Sequence, residues 1–451
     1  MKLTLEIKNF GKLEQATIQI NYLTVLAGKN NCGKSFVSKA LYSFLSAMNL
    51  NYVQENFLQK LEILLTLSEI LAEQIPSSYL GKNDQEFIGT FQNSLLELKA
   101  MNMQVDFLGE QSIHKVKSII ELLNRYKNIE ETKIRKFKLI KPLFNELEAN
   151  LNTLKNLLDA PVEAMIEGLT TSFENSLKQN FQISKLKQLK KIDSAKPPSF
   201  SISELGNIAI ENEHVRFELL QDGLRKIQNL SRVIYIESPI YWKLKSPLEW
   251  SERSLRRLKL DRQQHLTGIP QYFYDLVNLL RLQSTQSPKF SEILKDIKKE
   301  MGGQLKLTPD GNLVFQEQKA MHPISVTALG VANLGMLAML LEKNLIDSGT
   351  FLFIDEPEAH LHPAWQVIFI KALYQLAKAD VQIMIATHSV DILKYIEVLA
   401  KKDKQAESRI ALNHLSVQGI SDDNEMDFYQ KLRKIKQELT EPFYELYLEG
   451  L

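Results

Sequence analysis

The stretch AGKNNCGKSF at residues 27–36 sets Gly28, Gly33, Lys34 and Ser35 in the spacing Gly-x-x-x-x-Gly-Lys-Ser. That spacing suits the phosphates of a nucleotide. Glycines let the backbone wrap closely around an anion, N–H groups aim inward, a helix N-terminus stands behind them, and the lysine reaches the outer phosphates. The Ser35 hydroxyl is placed to bind Mg2+. The candidate nucleotide contacts are Gly28, Asn30, Asn31, Gly33, Lys34, Ser35 and Phe36. Such a loop needs a metal-binding carboxylate at the end of a neighbouring buried strand, and Phe351-Leu352-Phe353-Ile354 runs into Asp355-Glu356. An acidic pair there divides the work: Asp355 joins Ser35 on Mg2+, and Glu356 orients or deprotonates the attacking water. A third apolar run, Ile383–Ala386, ends in Thr387-His388-Ser389, where the imidazole can donate a hydrogen bond to a terminal phosphate. Lys34, Glu356 and His388 are therefore the candidate catalytic residues, with ATP and Mg2+ as the implied ligands.

The elements that must position these groups are visible as patterns. Residues 2–8 and 15–20 alternate like half-buried strands around a turn at Asn9-Phe10-Gly11-Lys12, and residues 22–27 form a mostly apolar strand running into the glycine loop. Ser35 to about Met48 reads as a helix. From about residue 50 to 230 apolar residues recur at helical spacing, as in Phe57, Leu61, Leu64, Leu71 and Ile75, then Ile113, Val116, Ile120 and Leu123, then Leu143, Leu147, Leu151, Leu154 and Leu158. Lys196-Pro197-Pro198-Ser199 breaks that region. Strand text returns at Arg232–Glu237, and Leu305–Phe315 reads as a hairpin turning at Pro309-Asp310-Gly311-Asn312. A helix from about Val331 to Lys343, a strand at Thr350–Ile354, a helix from about Ala364 to Ala379 and a strand at Val381–Ala386 then suggest parallel βαβ units. A strand at Arg409–Leu415 and a helix from about Asp427 to Leu448 follow. The expected domains are residues 1–49, 50–230 and 231–451: a split head with a large inserted helical or coiled-coil domain.

Composition narrows the class. The 451 residues are 44% hydrophobic and 24% charged, so a sizeable core is expected and wholesale disorder is not. A net charge of +1 argues against a uniformly basic nucleic-acid binder. One cysteine excludes a disulfide framework and fits a reducing interior. The N-terminus MKLTLEIKNF lacks the continuous apolar core of a signal peptide, and no apolar run is long enough for a membrane span. A cytoplasmic protein without membrane contact is expected.

GKNNCGKS, FLFIDEPEAHLHP and MIATHSVDIL, in that order, resemble the ABC-type ATPases of the structural-maintenance-of-chromosomes (SMC) and recombination-repair kind. More narrowly, they are similar to stand-alone AAA-type ATPases related to the overcoming-lysogenization-defect family, many of them in bacterial anti-phage defence. The resemblance covers residues 1–48 and 230–400 and leaves the inserted helices uncovered. It implies an α/β fold: a P-loop ABC-type ATPase head with a mixed central sheet flanked by helices, plus an antiparallel N-terminal β-subdomain. It also implies a homodimer, or a higher oligomer of head dimers, closing around two nucleotides. Such a dimer needs a signature loop from the opposite subunit, and Thr327-Ala328-Leu329-Gly330 stands at the matching distance before Asp355. Gly330 is the candidate contact in trans. Ala328 replaces the family's serine; unless Thr327 substitutes for it, the resemblance implies slow hydrolysis or a nucleotide that holds a state more than it turns over, a charge-assisted hydrogen bond being worth about 1.5–3 kcal/mol. The residues after His388 show no acidic cluster of a toprim nuclease, so any nuclease is expected on a separate effector chain.

Several residues keep two readings. Phe10 is either near the adenine or ribose or a core aromatic. Cys32 is either a thiol activated by Lys34 and the helix N-terminus, so that oxidation gates nucleotide binding, or an inert variant of the commoner serine. His360 and His362 lie two apart beside a proline with no third ligand at suitable spacing, which disfavours a metal site and favours cross-subunit nucleotide contact. Lys185, Lys187, Lys190 and Lys191, like Arg253, Arg256, Arg257, Lys259 and Arg262, line a DNA channel or form a solvated face. The leading reading is an ATP-driven switch controlling an effector in anti-phage defence. The alternative is a DNA-repair or chromosome-associated ATPase that binds DNA directly.

Overall fold

The computed structural model describes residues 2–49, 52–74, 82–103, 110–131, 134–159, 161–220, 230–237, 268–282, 286–308, 312–421 and 426–448. The chain divides into two compact units, Met1–Asn49 with Ser172–Leu451, and Leu50–Thr171.

At the centre of the first unit is a five-stranded sheet. Its strands are β3 (Leu23–Ala27), β7 (Arg232–Ile236), β11 (Thr350–Asp355), β12 (Gln382–Thr387) and β13 (Ile410–His414), in the order β13-β3-β12-β11-β7. Every pairing in it is parallel. β3, β11 and β12 are buried at every position. That is why they read as continuous apolar runs rather than alternating ones: a parallel sheet is covered on both faces. Helices α1 (Lys34–Met48) and α10 (Pro363–Lys378) form part of that cover. Phe353 of β11 stacks on Tyr235 of β7 at 5.8 Å and on Phe351 at 4.6 Å, and Tyr42 of α1 meets it edge-on at 5.9 Å.

A second, antiparallel sheet runs β2 (Leu13–Ile20), β1 (Leu3–Phe10), β4 (Ser199–Ile202), β5 (Gly206–Glu211) and β6 (His214–Leu219). Here one expectation fails. Residues 199–219, read from sequence as part of the helical region, are strands of this sheet. β4 pairs with β1, Leu5 opposite Ile202 and Ile7 opposite Phe200. The last α-helix before the prolines already ends at Phe181, and Pro197-Pro198 leads the chain in extended form into β4, since two prolines exclude helix. A third sheet, β10 (Ala320–Pro323), β9 (Leu313–Glu317) and β8 (Gln304–Leu307), contains the expected hairpin, while 309–311 of its turn lie outside the described residues. Further helices of this unit are α7 (Gln271–Arg281), α8 (Ser291–Met301), α9 (Leu329–Glu342), α11 (Val390–Lys402) and α12 (Phe428–Leu448).

The second unit is helical: α2 (Tyr52–Gln74), α3 (Lys82–Met103), α4 (Glu110–Glu131), α5 (Ile134–Asp159) and the start of α6 (Pro161–Phe181). Phe57, Leu61, Leu64, Leu71, Val116, Leu123, Leu147, Leu151, Leu154 and Leu158 share one core, with Ile113, Ile120 and Leu143 packed against it. Phe87 stacks on Tyr126 at 3.9 Å within it. Among the described residues, no helix is long and apolar enough to cross a membrane.

Because Phe353 is fully buried amid aromatic rings, Phe353→Ala should cost about 3–5 kcal/mol of unfolding free energy. Chemical denaturation measures it, and a loss below about 1 kcal/mol would mean that the site refills or is not core.

Candidate functional site

The parallel register sets four strand ends side by side. Thr387 lies opposite Ala27, Asp355 opposite Ala386, and Ile236 opposite Ile354. The chain therefore emerges from the sheet as the glycine loop, as His388, as Glu356 and as Glu237 along one edge. Carboxyl ends of parallel strands are where α/β folds gather ligand-binding groups.

The loop after β3 bends through left-handed backbone at Asn31 (φ 64°) and Gly33 (φ 98°). Cβ at Gly33 would meet the Leu13 side chain at 2.6 Å, so a larger residue would crowd β2 as well as strain the turn. Asn30 and Asn31 are exposed. Lys34 is buried, and its Nζ donates to the carbonyls of Gly28 and Lys29, both at 2.9 Å. In this state the lysine holds its own loop closed; a phosphate would have to replace those carbonyls. Phe36 turns its ring away from the loop into a cluster with Phe10 and Phe181, at 5.9 and 5.4 Å. Phe10 is fully buried there and also meets Phe200, which settles it as a core aromatic. Cys32 departs from the activated reading: it is fully buried, and burial pushes its thiol above the usual range although Lys34 pulls the other way. Desolvation of the thiolate outweighs one nearby cation.

Asp355 is the electrostatic centre. It is buried, and its pKa is raised to about 6. Burial is the largest cause; Glu237 and Glu356 push the same way, while the Ser35 hydroxyl and Lys39 oppose. Tyr235 Oη donates to Oδ2 at 3.2 Å and lies 2.9 Å from Ser38 Oγ of α1. Oδ1 has no hydrogen-bond partner. A buried carboxylate oxygen without a donor, next to a hydroxyl, fits Mg2+, which favours one or two carboxylates plus substrate phosphates over an all-protein cage. No cluster of three potential His, Cys, Asp or Glu ligands occurs among the described residues. Glu356 is exposed and sits at φ 50°, its N–H donating to Ala386 O at 2.9 Å. A left-handed non-glycine residue costs about 1 kcal/mol or more and persists where the surroundings impose it.

Sequence reasoning missed three acidic residues. Glu237, directly after β7, pairs with Lys39 at 2.8 Å and accepts a hydrogen bond from Tyr272 Oη. Its only signal was a carboxylate ending a buried strand. Glu358 is buried beneath the His388 turn, with Oε1 3.2 Å from His388 Nδ1. Glu441 of α12 pairs with Lys29 of the glycine loop at 2.9 Å, a contact across most of the chain that no spacing announces.

The expected signature segment, Thr327–Gly330, leads into α9 beside the acidic loop. Gly330 is buried against the 356–362 loop of its own chain: a Cβ there would meet the His360 carbonyl. Ala328 caps α9 without a side-chain hydrogen bond and is exposed, and the Thr327 hydroxyl is turned back to Pro323 O at 3.0 Å. His362 serves as N-cap of α10, its Nδ1 accepting from Ala364 N at 3.3 Å. The cluster at Arg253–Arg262 lies outside the described residues, and Lys191 is tied to Glu14 at 2.5 Å.

A glycine loop ahead of a helix, a buried aspartate beside its serine and a neighbouring acidic residue define a P-loop ATPase. The AAA ATPase domain family model matches residues 1–393, and the chain belongs to that family; it is an ATP-hydrolysing enzyme. Solved structures similar in fold include an SMC head bound to the C-terminal winged-helix domain of ScpA. It is 13% identical, with 87% of this chain and 90% of that chain covered and a TM-score of 0.38. The SMC head domain from Thermotoga maritima is 12% identical, covering 88% and 92% with a TM-score of 0.32. CbiO1 from Clostridium perfringens, part of the ABC transporter complex cbiONQ, is 15% identical, covering 53% and 78% with a TM-score of 0.23. No curated protein sequence matches the chain.

Two outcomes follow. Lys34→Ala should reduce equilibrium ATP binding at least tenfold, the outcome expected of a lysine reaching the outer phosphates; affinity within twofold of wild type would exclude that role. At pH 7, Asp355→Asn should stabilise the nucleotide-free protein by about 1–3 kcal/mol, because a carboxylate whose ionised form is penalised by burial is replaced by a neutral isostere. Thermal melting without nucleotide reads it, and an unchanged or lower midpoint would contradict the electrostatics above.

Proposed function

We propose that this chain is a cytoplasmic ATP-driven switch: two copies close head to head around ATP, and the closed state controls a separately encoded effector, a nuclease, in anti-phage defence. The observation that carries the dimer reading is α9. Its N-terminus is uncapped by any side chain, and it opens on an exposed segment with Met321 at 61% and Val326 at 73% exposure. A helix start without a side-chain cap and the helix dipole favour an anion, and the exposed apolar residues before it suit burial by a second copy. The nucleotide held by one head would supply that anion to the α9 of the other. The defence setting is supported by the resemblance of GKNNCGKS, FLFIDEPEAHLHP and MIATHSVDIL to the overcoming-lysogenization-defect-related ATPases.

In this reading Lys34 exchanges the Gly28 and Lys29 carbonyls for the outer phosphates. Ser35 and Asp355 hold Mg2+, which when bound neutralises charge on the phosphates. Glu356 stands at the exposed end of β11, where it accepts the proton of the attacking water or holds that water in line. His388, 40% exposed at its side chain, meets the terminal phosphate. Ala328 offers no hydroxyl to a phosphate in trans, so hydrolysis is slow and the closed state long-lived. The DNA-binding alternative draws on the exposed Lys185 and Lys187, and salt-dependent DNA affinity that steepens with ATP would favour it.

Glu356→Gln should retain ATP binding, lose most turnover and shift the protein to a dimer on sizing with ATP. Unchanged turnover refutes the role of Glu356, and a monomer with ATP bound refutes the head dimer. Co-expression with the adjacent reading frame tests the effector: the neighbouring product should co-purify or alter phage sensitivity.

A further inference from the structure

Glu358 has no part in the chemistry described so far, yet its surroundings are specific. It is 9% exposed, two residues beyond Glu356. Oε1 accepts from Thr387 Oγ1 at 2.8 Å and from the His388 N–H at 2.7 Å, and it stands 3.2 Å from His388 Nδ1. Oε2 has no hydrogen-bond partner. A carboxylate is rarely buried without a cation or several donors. Here the donors all come from one turn, the one that delivers His388 from the end of β12. Nδ1 is within ion-pair reach of the carboxylate but outside hydrogen-bond alignment in this state.

We propose that Glu358 is a positioning residue for His388, holding the Thr387–His388 turn and engaging the imidazole at Nδ1 so that Nε2 is presented to the terminal phosphate; this rests on the reading of His388 given above. A carboxylate behind a histidine fixes ring orientation and identifies which nitrogen faces the reaction. The loop that carries Glu358 is itself anchored to the signature helix. Asn333 Nδ2 donates to Ala359 O at 3.0 Å, and Gly330 packs on the His360 carbonyl without room for a Cβ. A shift of α9 on engaging a partner therefore moves the backbone next to Glu358, and with it the orientation of His388.

The test compares Glu358→Gln, His388→Ala and the double variant in the full-length protein, reading ATP turnover at saturation, equilibrium ATP affinity and thermal midpoint. Glutamine keeps an oxygen for Thr387 and for the His388 N–H but cannot act as an anion toward Nδ1. A role confined to holding the turn is thus nearly spared, and a role in orienting the ring is not. Glu358→Gln should bind ATP within about twofold of wild type and turn over at least about tenfold more slowly. The double variant should be no slower than His388→Ala alone, as for groups acting as a unit. Wild-type turnover in Glu358→Gln, or losses that multiply in the double variant, overturns the proposal and leaves the role of His388 intact. A neutral His388→Ala overturns that role and the proposal together. Should Glu358→Gln prove unstable, nitrogen-15 spectra of the wild-type histidines with a non-hydrolysed ATP analogue decide the matter, His388 being assigned by its loss in His388→Ala. A proton on Nδ1 supports the contact, and its absence overturns it.

Discussion

Asp355 is a carboxylate that its surroundings penalise, held in place by a register it cannot escape. Burial, Glu237 and Glu356 all oppose its charge, and the nearby Ser35 hydroxyl and Lys39 only partly offset them. Tyr235 hydrogen-bonds one oxygen and the other has no partner. Such a group has more to gain from a cation than a solvated aspartate does, since the ion replaces solvation that the fold has already removed. The penalty is distributed over the rest of the domain, where stacked aromatic rings and fully buried strands supply the stability that the site forgoes.

Strand register does the positioning. With β3, β12, β11 and β7 parallel and in step, each apolar run ends at the same level, and the first polar residue after each falls on one edge. No loop needs to reach across the domain to assemble Lys34, Asp355, Glu356, Glu237 and His388. At that edge Glu356 adopts a left-handed φ and Lys34 bonds the carbonyls of its own loop. The same constraint explains Cys32: packed behind the loop, it is shielded from water too thoroughly for Lys34 to activate it.

Much of this was legible in the residues. β3, β11 and β12 are apolar throughout because both faces are covered, and that pattern needs no knowledge of partners. The helical core of the second unit followed from spacing alone, since Phe57 to Leu158 repeat at the helical period. What escaped was long-range pairing. β4 joins β1 across about 190 positions of chain, and nothing within Ser199–Ile202 distinguishes the central strand of that sheet from a break among helices. Glu237, Glu358 and Glu441 escaped for the same reason: a carboxylate acquires a role from what folding sets opposite it, here Lys39, the His388 turn and Lys29. Phe10 and Phe36 sit in motif-like positions, but their rings complete a core.

The loops around the nucleotide edge are not independent of one another. Gly330 and Asn333 fasten α9 to the 356–362 loop, Glu358 fastens that loop to the Thr387–His388 turn, and Ser389 caps α11 while bonding Gln366 of α10. On the other side Glu441 holds Lys29, two residues from Asn31 in the glycine loop. Close-packed contacts of this kind do not deform gradually; they exchange one arrangement for another. A Cβ has no space between Gly330 and His360, so the backbone of α9 packs directly on the acidic loop. A ligand that displaced Lys34 from the Gly28 and Lys29 carbonyls would therefore act on a loop that α12 already holds through Glu441.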